Sequence, residues 1–135
     1  MIDVNEYIGK PYELGARGPD RFDCWGLVMD VYAQLGRALP DWKSENDEPM
    51  KIARAMQAGV SDALENNHAV PVLEPRAFDI ALLFRGNFAH HCGIYCFGGI
   101  LHCSAHASGG TVHESKNKFI QSGRGFLSFY RWARG

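Results

Sequence analysis

Cys24 is the residue best placed for nucleophilic chemistry. It stands in Asp23-Cys24-Trp25-Gly26-Leu27, where an apolar run of helical period begins. A helix start leaves backbone N–H groups unpaired and carries the positive end of the helix dipole. Both favour a thiolate, and a thiol of ordinary pKa ~8.5 can fall to roughly 3.5–7.5 in such a setting. The plainer alternative is a small hydrophobe buried beside Trp25. A nucleophilic thiolate needs a base, and the base needs a group to orient it. The available histidines are His68, His90, His91, His102, His106 and His113.

Two of these can meet on a hairpin. Ala89 to Phe97 and Ile100 to Ala105 are strand-like runs on either side of Gly98-Gly99, a hairpin signal. Side chains alternate faces along a strand, and directly paired residues share a face. With an even-length loop, odd residues of the first strand oppose even residues of the second. His91 then shares a face with His102, and Gly93 near His102 leaves room for the two rings to touch. An odd-length loop would separate them. His90 is expected at the strand start, displayed outward. His68, His106 and His113 are expected in loops or at the surface.

The same alternation sorts the other thiols. Cys92, Ile94 and Cys96 fall on the opposite face with Leu101 and Cys103, so these three cysteines are expected in the core. His91, Cys92, Cys96, His102, Cys103 and His106 are ligand types that zinc accepts. Their spacing fits neither a zinc knuckle nor a ribbon, and they divide between two sheet faces. No metal and no cofactor is expected.

These groups must be positioned by local elements. Asp3 can cap a short helix over 4–8, ended by Gly9-Lys10-Pro11. Residues 12–22 form a turn-rich loop with Gly15, Gly18 and Pro19. Leu27, Val28, Val31, Tyr32 and Leu35 mark one face of a helix with Asp23 as N-cap and Gly36 as its stop. A second helix begins near Pro49 and runs through Ile52, Ala53 and Met56 to about Gly59, and residues 61–66 either continue it or form a separate turn. Strands are expected over Phe78 to Phe84, in the hairpin, over Thr111 to Glu114 and over Gly125 to Trp132. Helices followed by strands with short links indicate an α+β fold on an antiparallel sheet. Trp42, Trp132, Phe126, Phe129 and Tyr130 are expected to pack or to cover sheet edges. Asp41 to Glu48 reads as an exposed connection, and Lys116, Lys118, Arg124, Arg131 and Arg134 as solvent-facing charges.

Composition narrows the function classes. The chain has 135 residues, 14 basic and 15 acidic, for a formal charge of −1. That balance argues against a broad grip on nucleic acid or an anionic membrane. No apolar run approaches the roughly 18 residues of a membrane span. Met1 to Glu6 has neither the basic region nor the apolar core of a secretory signal, so synthesis in the cytoplasm with free thiols is expected. Length and the absence of linker composition predict one domain, residues 1–135.

Three segments together resemble the NlpC-type cysteine peptidases, papain-like cell-wall hydrolases. They are Tyr7-Ile8-Gly9-Lys10-Pro11-Tyr12 followed by Phe22-Asp23-Cys24-Trp25-Gly26-Leu27-Val28; Phe78-Asp79-Ile80-Ala81-Leu82-Leu83-Phe84; and His91-Cys92-Gly93-Ile94-Tyr95 with Ile100-Leu101-His102. The resemblance covers nearly the whole chain. It implies a papain-like fold with N-terminal helices on a central antiparallel sheet of about five to six strands. It implies Cys24 as nucleophile, His91 as general base and His102 as the orienting residue. Tyr12 matches the tyrosine near the oxyanion, and Asp23 an acid of structural role. Trp25 stands where many members have serine and would form a wall that alters substrate choice. Cys92 stands where valine is common, and Arg76-Ala77 replaces a usual Pro-Gly. The implied substrates are peptidoglycan stem peptides, at the bond between γ-D-glutamate and diaminopimelate or lysine. Asp-Cys-Trp-Gly on a short domain resembles members encoded among phage tail genes, which implies virion localisation and other tail proteins as partners. A toxin injected between cells is the other route to the wall. A structural tail component without catalysis, or an amidase or acyltransferase using the same three residues, are the competing readings.

Overall fold

A computed structural model describes residues 2–42, 49–105 and 110–133. After a 3-10 turn, Val4–Glu6, come α1 (Cys24–Gln34) and α2 (Pro49–Glu65), then β1 (Ala69–Val72), β2 (Ile80–Arg85), β3 (Phe88–Cys96), β4 (Gly99–Cys103), β5 (Thr111–Glu114), α3 (Lys116–Gly123) and β6 (Phe126–Trp132). The six strands form one sheet in the order β1-β6-β2-β3-β4-β5, antiparallel at every pairing. The fold is α+β, with α1 and α2 on one face of the sheet.

Each end of α1 is set by its sequence. The Asp23 carboxylate accepts from the Gly26 amide at 2.7 Å, which satisfies one unpaired donor of the first turn. At the other end Gly36 takes φ +77°, the Gly36 amide donates to Ala33 O and the Arg37 amide to Tyr32 O. This is a Schellman ending, which glycine enters without a Cβ clash. The helix buries Trp25, Leu27, Val28, Val31 and Tyr32 against Cys92, Ile94, Cys96, Leu101 and Cys103. The three sheet cysteines therefore belong to the core. On the opposite face, Ala81, Leu83 and Ile100 pack under Phe119 of α3.

The β3–β4 connection is the two-residue turn Phe97-Gly98, with φ +48° and +74°. Two positive φ values give the turn whose twist suits a hairpin. Its even length puts His91 and His102 on one face. A second irregularity lies in β2–β3. Leu83 pairs with His91 and Phe84 with Ala89, so His90 is an extra residue in the ladder. Such bulges bend a strand and redirect its side chains.

Several expectations need correction. Strand β1 and helix α3 were not expected. β2 starts at Ile80 rather than Phe78, because Phe78 adopts φ +72° and its carbonyl accepts from the Tyr32 hydroxyl. Of the two alternatives for residues 61–66, helix α2 takes the first and continues past Gly59 to Glu65; that glycine leaves space for the Trp42 ring, which a Cβ would meet at 2.2 Å. His113 is not a loop residue: it lies in β5 and its Nε2 donates to Cys96 O at 2.7 Å. His90 is half-buried rather than displayed, and Phe126 is 74% exposed rather than packed. His106, Arg134 and most of the Asp41–Glu48 connection lie outside the described residues.

Gly26 joins the turn-rich loop to the helix start. A Cβ there would lie 2.1 Å from Ala16 O, whose carbonyl also accepts from the Asp23 amide. Backbone has little room to retreat. Gly26→Ala should therefore destabilise the protein by about 1–3 kcal/mol, measured by urea unfolding. An unchanged midpoint would contradict this packing.

Candidate active site

Four chain segments meet around the Cys24 thiol. Cys24 is the first residue of α1 and half-exposed. His91 and Cys92 come from β3, His102 from β4 and Glu114 from β5. His91 Nε2 lies 2.9 Å from His102 Nδ1, and His102 Nε2 lies 2.6 Å from Glu114 Oε1. Gly93 makes this possible, since a Cβ there would sit 3.0 Å from His102 Cβ. His102 pairs with Val112, which places Glu114 at the diagonal position on the same face, within reach of a long side chain.

The hydrogen-bond order assigns the protons. A carboxylate only accepts, so His102 Nε2 carries the hydrogen that Glu114 receives. The neutral His102 ring then offers Nδ1 as acceptor, and His91 Nε2–H donates to it. His91 is left with Nδ1 unprotonated and available to the Cys24 thiol, with which the ring makes a hydrogen bond. His102 is 1% exposed. Burial, then the charge of His91, lowers its pKa, opposed by the bond to Glu114. A neutral His102 suits orientation of a neighbour rather than proton transfer. Phe119 holds both rings from above, with centroids 5.4 Å from His91 and 4.8 Å from His102.

The Cys24 pKa is driven well below that of an ordinary thiol. The leading cause is a hydrogen bond from the Cys92 thiol; burial opposes it; the hydrogen bond and charge of His91 add to the lowering. Cys92 shifts the opposite way, raised by burial and by its bond to Cys24, and so remains a protonated donor. The residue that stands where valine is common thus lies against the nucleophile and favours its thiolate.

The remaining expected residues divide. Tyr12 lines the cleft of about 270 Å³ that also contains Cys24 and His91. Its pKa is pushed up to about 12, by burial first and then by the charge of Cys24, so its hydroxyl stays a donor at neutral pH. The loop carrying Tyr12 is held by Gly9 and Lys10, whose backbones bond to Thr111 at the start of β5. Asp23 is buried away from the cleft's chemistry. It accepts from the Gly26 and Gly15 amides and from Arg17 at 2.7 Å, so its work is to fix the helix start. Trp25 does not form a wall of the cleft. It is 3% exposed, stacks on Trp42 at 3.9 Å between centroids and donates through Nε1 to Pro40 O. Its apolar surface is taken up by the core, and the expectation that it touches substrate is corrected accordingly.

Sequence reasoning missed Glu114, Phe119, Arg17 and Cys92's part. A signal for Glu114 existed. Thr111 to Glu114 was already a strand, and pairing it beside the strand of His102 would place an acid within diagonal reach. Phe119 had no such signal without α3. Among the described residues, no group of three or more His, Cys, Asp or Glu side chains is placed to hold a metal ion.

The thiolate can be measured directly. The rate of Cys24 alkylation by iodoacetamide should titrate with a midpoint below the ~8.5 of a free thiol. Cys92→Val should move that midpoint upward by removing the S–H partner, and His91→Ala should raise it by removing the ring that bonds the thiol. A wild-type midpoint at or above that of free cysteine would contradict the geometry.

With this geometry established, comparisons place the chain among known proteins. The model of the "NlpC/P60 family" matches residues 9–125. A "probable endopeptidase p60" of Listeria grayi is 33% identical over 97 residues, which is 72% of this chain and 16% of that protein. A probable endopeptidase of Corynebacterium glutamicum is 33% identical over 96 residues, 70% of this chain and 37% of that protein. The chain thus spans a minor part of the length of these relatives. Among solved structures, the NlpC/p60 domain of the peptidoglycan hydrolase SagA superposes with a TM-score of 0.60 at 21% identity, covering 93% of this chain and 91% of that one. NlpC2 from Trichomonas vaginalis gives 0.62 at 19% identity, covering 96% and 44%. At these identities the structural likeness concerns the fold; the match of the family model over residues 9–125 carries the assignment, and the chain belongs to the NlpC/P60 family.

Proposed function

We propose that the chain is a cysteine endopeptidase that hydrolyses an amide bond in peptidoglycan stem peptides, with γ-D-glutamyl–diaminopimelate as the bond. The observation that carries this reading is the meeting of Cys24, His91 and His102, from α1, β3 and β4, in one hydrogen-bonded group at an open cleft. The names of the relatives, endopeptidase and peptidoglycan hydrolase, support the substrate class.

The chemistry follows from the placement. His91 takes the Cys24 proton, and the thiolate attacks the scissile carbonyl carbon. The Cys24 backbone N–H at the helix start and the Tyr12 hydroxyl are donors for the oxyanion. His91 returns its proton to the leaving amine, which departs. A water molecule, deprotonated by His91, then hydrolyses the thioester and regenerates the thiol. His102, held by Glu114, keeps His91 in the tautomer that this cycle requires. Delivery to the wall on a phage tail, implied by the likeness to tail-encoded members, belongs to the same proposal. Detection of the chain in purified virions checks it.

Digestion of defined stem peptides, read by mass spectrometry, tests the enzyme. Wild type should release fragments cut after γ-D-glutamate. Cys24→Ala and His91→Ala should each reduce turnover by at least about a thousandfold while remaining folded. His102→Ala should lose less, because it orients rather than transfers the proton. Wild-type cleavage by pure Cys24→Ala would refute the mechanism. Release of the whole stem from the glycan would instead identify an amidase.

A further inference from the structure

The cleft beside Cys24 carries a cation that the reaction cycle does not use. Arg85, the last residue of β2, lines the cleft with Cys24 and His91. It is exposed, and its side chain makes one hydrogen bond among the described residues, a long one, 3.3 Å, to Gly123 O. No carboxylate among the described residues lines this cleft. On the same wall His90 holds its Nε2 buried without a hydrogen-bond partner. That ring packs toward the Gly123–Gly125 turn, where a Cβ on Gly125 would meet Nε2 at 3.0 Å. Among the described residues this wall thus sets an unsatisfied ring nitrogen beside a guanidinium that no lining carboxylate neutralises.

Arg17, at the helix start, is by contrast spent: it pairs with Asp23 and Asp41. A guanidinium presents a planar fork of donors that matches a carboxylate. An arginine left unpaired at a reaction cleft is thus suited to a substrate carboxylate.

Its position selects which one. Arg85 and His90 belong to the β2–β3 hairpin that carries His91, whereas Tyr12 lies toward Cys24 and Cys103. The carbonyl of the scissile bond belongs near Tyr12 and the Cys24 amide. The leaving amine belongs near His91, which protonates it. The Arg85 wall therefore borders the leaving-amine half. We propose that Arg85 is a specificity-determining residue that binds a free side-chain carboxylate on the leaving diamino acid, and so selects diaminopimelate over its amidated form and over lysine. This rests on the stem-peptide reading above and refines it.

The test compares kcat/KM on L-Ala-γ-D-Glu-diaminopimelyl-D-Ala, on the same peptide amidated at the diaminopimelate side chain, and on the same peptide amidated at the glutamate α-carboxylate. Wild type should favour the free acid over the diaminopimelate amide by at least about tenfold, mainly through KM, as for a charge-assisted contact. Arg85→Gln should reduce that ratio to about one, and Arg85→Lys should retain part of it. A ratio unchanged in Arg85→Gln would overturn the proposal while leaving the peptidase reading intact. An Arg85 dependence that follows glutamate amidation instead would place the contact on the acyl side and overturn the leaving-side assignment. Failure of wild type to cut any of the three would overturn the peptidase reading and this inference with it.

Discussion

A carboxylate can only accept a hydrogen bond, and the proton order of the whole site follows from that. Glu114 at 2.6 Å takes the Nε2 hydrogen of His102, which leaves His102 Nδ1 to receive the Nε2 hydrogen of His91. The lone pair of His91 then points at Cys24. Reversing the bond between the two rings would put the His91 hydrogen on Nδ1, facing Cys24, and disable the base. The sheet enforces the arrangement through register. His102 faces Val112, Glu114 lies at the diagonal, and Gly93 leaves room for the ring-to-ring contact. Phe119 then excludes water from His102 and fixes both rings.

The nucleophile is prepared from the opposite side of the sheet. Asp23 caps α1, and Arg17 and the Gly15 amide hold that carboxylate, so the first turn cannot fray. The thiol at this turn meets the Cys92 S–H and the His91 ring together. Burial alone would raise the Cys24 pKa; the Cys92 hydrogen bond, the His91 ring and a helix start overcome it. Cys92 is a polar contact within an otherwise apolar layer of Ile94, Cys96 and Leu101. A valine could fill the volume but could not donate.

Most of this was legible locally. The capped helix from Cys24, the two strands around a glycine turn and the division of cysteines from histidines by alternation all rest on near-neighbour rules. The meeting of His91 with His102 rested on loop parity, which Phe97-Gly98 satisfies. Other features depend on which strands become neighbours, and short-range pattern does not carry that. Glu114 reaches His102 only once β5 pairs with β4. Trp25 reads as a site residue because it follows Cys24, yet helical geometry turns the next residue about 100° away, into the stack with Trp42. Helix α3 is short and polar apart from Phe119 and Ile120, so its hydrophobic period is faint, although Ser115 does cap it. His90 was misread as a strand-start residue because the strand begins earlier, at Phe88, and His90 forms a bulge inside it.

The central claim concerns where two protons reside, and nitrogen-15 NMR of the histidine rings reads that directly. In the Cys24→Ala protein near pH 8, where no thiolate can draw a second proton onto His91, both His91 and His102 should be neutral with the hydrogen on Nε2. Finding the hydrogen of His102 on Nδ1, or that ring doubly protonated, would contradict the account.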